Sequence, residues 1–129
     1  MRASVLLTLL LLPFAAEAVE ITPFEEANIS ESEFAQYHAI VSRELASTHR
    51  AYTEHFLEVY SDESTRASIA FTLPGHPAHP AWVTRHVLMD EDSISMNVVG
   101  YYAGDKGEFE KLFNQYRAMA EETTRQFSQ

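Results

Sequence analysis

The chain has 129 residues, nine Lys and Arg against nineteen Asp and Glu, a formal charge of −10 at pH 7, and no cysteine. That size suits one small domain. The lack of cysteine excludes disulfides, thiol nucleophiles and thiolate metal sites. The charge excludes a phosphate backbone or an anionic lipid surface as partner, because both require clustered Lys and Arg, and only Lys106 and Lys111 carry ammonium groups.

Residues 1–18 (MRASVLLTLLLLPFAAEA) read as a cleaved signal peptide. A single Arg2 precedes an apolar run from Val5 to Phe14, and the Ala16-Glu17-Ala18 pattern is one a signal peptidase accepts. The run is too short for a transmembrane helix, which needs about 20 residues. The expected location is therefore periplasmic or secreted, with no integral membrane segment in the mature chain. Residues 19–29 read as an extended N-terminal arm interrupted by Pro23, and residues 30–129 as a single α+β domain. The Asn28-Ile29-Ser30 sequon is a common chance match and carries no weight.

Ser30-Glu31-Ser32-Glu33 forms a capping box. Behind it, Phe34, Tyr37, Val41, Leu45, Thr48, Tyr52, Phe56 and Val59 recur at steps of three and four. This spacing predicts one long N-terminal helix over about 31–61. Residues 66–73 alternate apolar and polar as a half-buried strand; 81–89 and 93–103 read as two more, the latter pair joined at Asp90-Glu91-Asp92. Asp105 and Glu108 cap a last helix running to about 127. The expected fold is a long N-terminal helix, a three-stranded antiparallel β-meander, and a C-terminal helix packed on the sheet.

Two registers compete for the second pair of strands. The preferred one sets Leu88 opposite Ile94, which brings Trp82 over Gly100 and collects Val83, Val87, Met89, Val99 and Tyr101 on one face. The other sets Met89 opposite Ile94; a one-residue slip exchanges the faces. With apolar residues on both sides, these strands require cover on both. Either one helix lies on each face, or a partner covers one. Trp82, Val83, Val87, Met89, Val99 and Tyr101 are therefore the candidate ligand or interface residues.

No G-x-S-x-G, H-E-x-x-H, Walker or dinucleotide motif is present. Six histidines remain. His38 and His49 share an azimuth on the expected long helix, with His55 on its other flank, where amphipathic packing explains them. His76 and His79 lie in Gly75-His76-Pro77-Ala78-His79-Pro80, each stiffened by the following proline. With His86 as a third ligand they are candidates for Cu, Zn or Ni, since imidazole suits all three. Without it, the loop is a rigid connector.

These features lead to an exported, non-enzymatic protein acting through a protein partner or as a homodimer. Two alternatives are a periplasmic transition-metal binder using the histidine loop, and a small-ligand or enzymatic pocket between sheet and helices.

Overall fold

A computed structural model describes residues 19–127; the signal-peptide reading of residues 1–18 falls outside them. In chain order, α1 (Glu31–Glu44) leads through a 3₁₀ turn (Ala46–Thr48) into β1 (Arg50–Tyr52), and a second turn (Thr53–His55) precedes β2 (Leu57–Asp62). Then follow β3 (Ala67–Thr72), β4 (Ala81–Met89), β5 (Ile94–Tyr102) and α2 (Lys106–Phe127). The strands form one antiparallel sheet in the order β1-β2-β3-β4-β5. The α+β class stands. The three-stranded meander and the long N-terminal helix do not: the sheet has five strands, and α1 stops after 14 residues.

The start of α1 is as expected. Ser30 Oγ accepts the Glu33 amide while the Glu33 carboxylate accepts the Ser30 amide, satisfying two orphan donors at once. Leu45 leaves helical geometry, and Thr48 Oγ1 donates to the Leu45 carbonyl while accepting the Ser61 amide of β2. Phe56 takes a left-handed φ of 54° between the second turn and β2, which no helix passing through it could tolerate. The helical spacing across 48–59 is therefore accidental, and the working period there is two. Leu57, Val59 and Ser61 lie on one sheet face; Glu58, Tyr60 and Asp62 are buried on the other. Acids on the buried side conceal that alternation from a hydrophobicity reading.

Met89 pairs with Ile94 and Trp82 with Tyr101, so the preferred register is overturned. The reason lies at Gly100, which faces Val83 rather than Trp82. A Cβ on Gly100 would sit 2.7 Å from Phe109 and 2.9 Å from Phe113. The space over this glycine is filled by two rings of α2 on the face away from the indole. Asp105 caps that helix, its carboxylate accepting the Glu108 amide.

One helix covers each face. On the α1 face, Trp82 is fully buried and stacks on Tyr37 at 4.3 Å between centroids, with Phe71 and Tyr101 around it. The arm closes this core: Tyr37 Oη donates to the Glu20 carbonyl and Tyr101 Oη to that of Phe24. Burial pushes the Tyr37 hydroxyl far above its ordinary pKa, with the nearby Tyr101, Glu20 and Asp62 adding to the rise, so it remains a donor. On the α2 face, Ala81 and Val83 meet Phe109 and Leu112, flanked by Val98, Tyr102, Phe113 and Tyr116. No helix among the described residues is long and apolar enough to cross a membrane.

Candidate functional site

The histidine loop is built into the fold. His79 Nδ1 lies 3.1 Å from the Thr72 carbonyl and 2.8 Å from Thr72 Oγ1. A carbonyl only accepts, so Nδ1 carries the proton. Thr72 Oγ1 in turn accepts the Ala81 amide and donates to the Ala81 carbonyl, tying the loop to the first residue of β4. His76 Nδ1 accepts the Ala78 amide. Burial, reinforced by His79, holds the His76 pKa below its ordinary value against the opposing Glu108. Each imidazole thus spends its Nδ1 atom on the loop's own scaffold. His86 pairs in register with Ala67 and Asn97, roughly 17 Å along β4 from Ala81 at about 3.3 Å per residue. The fold brings His76 and His79 together and sets His86 apart from both. Among the described residues, no group of three or more His, Asp or Glu side chains could hold a metal ion.

The candidate interface residues divide between the faces. Trp82, Val99 and Tyr101 belong to the α1-side core, and Val83 is buried beneath α2. Val87 and Met89 lie at the far end of the α2 side, where Met89 is 56% exposed.

A different pair of histidines converges. His38 of α1 and His49, which precedes β1, both reach Glu58 of β2. Each Nε2 lies 2.8 Å from a separate carboxylate oxygen. A carboxylate only accepts here, so both Nε2 atoms carry a proton and donate it. Tyr60 Oη adds a longer contact of 3.3 Å to Glu58 Oε1, and the His38 ring packs edge-on against Phe71. Burial alone would raise the Glu58 carboxyl pKa. The hydrogen bonds and charges of His38 and His49 outweigh it and hold the group below its ordinary value. Sequence reasoning placed these histidines near one another for the wrong reason, since a turn and an edge strand bring His49 back rather than a continuous helix.

The opposite sheet face has an opening. Beside β1, β2 and β3, where Tyr116 and Met119 of α2 reach the sheet, a cleft of about 680 Å³ remains, bordered by Arg50, Tyr52, Leu57, Val59 and Arg85 among others. Register explains the lining: Arg85, Ser68, Ser61, Val59, Leu57, Arg50 and Tyr52 share this face. The Arg85 guanidinium lies 5.4 Å from the Tyr116 ring centroid, a cation–π distance. Its Nε is shielded from solvent and has no hydrogen-bond partner, and no carboxylate pairs with it among the described residues. Glu63 borders the same cleft without reaching it. Burial pushes the Tyr116 hydroxyl above its ordinary pKa, with Arg85 acting in the opposite direction. A chain of charge −10 therefore sets Arg50, Arg85 and His55 around one concavity.

No family model, curated protein or solved structure matches this chain.

Proposed function

We propose that the chain is an exported small-ligand-binding protein. Its cleft beside Tyr116 and Met119 of α2 takes a molecule with one carboxylate or phosphate group next to an apolar body. The observation that carries this reading is Arg85: a half-buried guanidinium with no carboxylate partner among the described residues, inside a cleft large enough for a small molecule. An unpaired charge in such a place lowers stability unless something compensates it. A planar guanidinium also matches the two oxygens of a carboxylate or phosphate. Leu57, Val59, Tyr116 and Met119 supply the apolar wall; Ser61 and Ser68 bring hydroxyls. Export rests on the leader pattern ending at Ala18, and Val19 as the first residue of the secreted form checks it.

The test is calorimetry and thermal unfolding with 4-hydroxybenzoate, hexanoate and inorganic phosphate, with benzyl alcohol as the neutral probe. The expected result is binding of at least one anion and none of the alcohol, with Arg85→Met weakening the anion at least tenfold. The same variant should unfold at the wild-type temperature or above it, because it removes an uncompensated cation. No anion binding, or equal affinity in the variant, would overturn the reading.

A further inference from the structure

We propose that the free edge of β5 pairs antiparallel with β5 of a second copy, making a ten-stranded sheet across a two-fold axis centred on Asn97. In the order β1-β2-β3-β4-β5, β5 is an edge strand of nine residues. The direction of its free groups follows from the arm. Tyr102 donates to the Ala27 carbonyl and accepts the Ile29 amide, while β4 lies on the other side of β5. The N–H and C=O of Tyr102 thus point outward. By the alternation of an antiparallel strand, so do those of Ile94, Met96, Val98 and Gly100.

Edge strands are ordinarily guarded by lysine, proline, a bulge or a covering element. Residues 93–103 (SISMNVVGYYA) contain no charge and no proline, in a chain whose composition is 22% charged. The register against β4 runs unbroken from Ala81–Tyr102 to Met89–Ile94, with no bulge. The arm already adds backbone pairing to this edge, at Tyr102 alone. Beside the free part runs a groove of about 650 Å³ between β5 and α2, lined by residues 95–98 and by Arg117, Ala120, Glu121, Thr124 and Arg125.

A second copy is the occupant that fits these features together. A two-fold axis perpendicular to the sheet keeps like faces together, so paired residues must have the same parity. Centring on Asn97 sets Met96 opposite Val98 and Ile94 opposite Gly100. All four outward residues are then satisfied, and Tyr102 stays with the arm. Centring on Val98 would instead direct Ile94 at Tyr102, whose groups are taken. In the first register Met96 and Val98 of each copy enter the β5–α2 groove of the other.

Asn97 is exposed and the chain has no cysteine, so Asn97→Cys is a clean probe. The full chain is examined by light scattering from 1 to 200 µM. Wild type should reach twice the monomer mass. Asn97→Lys, which faces two ammonium groups across the axis, should stay monomeric with an unchanged circular dichroism spectrum. Under mild oxidation Asn97→Cys should form a covalent dimer at least tenfold faster than Leu88→Cys, whose side chain is exposed on the inner strand β4. Amide exchange at Met96 and Val98 should slow as concentration rises. A monomeric wild type at 200 µM, a dimeric Asn97→Lys, equal crosslinking at the two positions, or exchange independent of concentration would each overturn the pairing.

Discussion

The two faces of the sheet use aromatic residues to opposite ends. On the α1 side, Tyr37, Phe71, Trp82 and Tyr101 interlock around an indole with no exposed surface. The arm seals that side, and Glu58, one of two acids buried on it, is held by two imidazoles. On the α2 side the rings of Phe109 and Phe113 fill only the part above Gly100, and farther along Tyr116 leans over an arginine beside open space. One face is closed around a buried indole; the other is left open beside a charge. In a small domain that can bury only one substantial core, stability concentrates on the first face, which frees the second for binding.

Three substitutions can break or sharpen this contrast. The largest effect belongs to Trp82→Ala. It removes the centre of the closed face and should cost about 3–5 kcal/mol in urea unfolding. Loss of under 1 kcal/mol would mean that the α1 face is not where stability resides. Next is Gly100→Ala, whose methyl group would press into Phe109 and Phe113. Overpacking of this kind costs about 1–3 kcal/mol, and combining it with Phe113→Ala should recover part of that loss. Simple additivity of the two changes would show that α2 does not rest on this glycine.

The smallest effect is Glu58→Gln, which replaces two charge-assisted bonds with weaker ones and should cost about 1–2 kcal/mol at neutral pH. Its sign with pH is definite. The native fold holds the Glu58 carboxyl below its ordinary pKa, so its contribution is present above the ordinary carboxylate range. It disappears as pH falls through the lowered value. Wild-type and variant stabilities should therefore differ at pH 7 and converge in acid. A constant gap across pH would assign the loss to packing rather than to ionisation.

How far the sequence could be read depended on whether hydrophobicity and burial agreed. They agree at Ser30–Glu33, at β3, at the β4–β5 hairpin and along α2, and those elements stand where the residues indicated. They disagree at Leu57–Asp62, where the buried positions carry two carboxylates, and there a false helical period prevailed. One signal was available: strict alternation in Leu57-Glu58-Val59-Tyr60 just before the polar cluster Ser61–Thr65 is a strand-and-turn pattern. The register failed for a related reason. A glycine opposite a tryptophan is an attractive pairing, but the glycine's vacancy was already taken by rings from the helix 9 and 13 positions further on. The Glu58 cluster and the Arg85 cleft were illegible because both depend on β1 and β2, which the long-helix reading removed.

The arm has a kinetic consequence as well. Every strand of the sheet neighbours the strand before it in sequence, so the sheet can zip up hairpin by hairpin at little loop-closure cost. The contact that ties Asn28 to Tyr102 spans 74 residues and cannot form until the last strand exists. The arm's pairing with β5 is consequently a latch thrown at the end of folding.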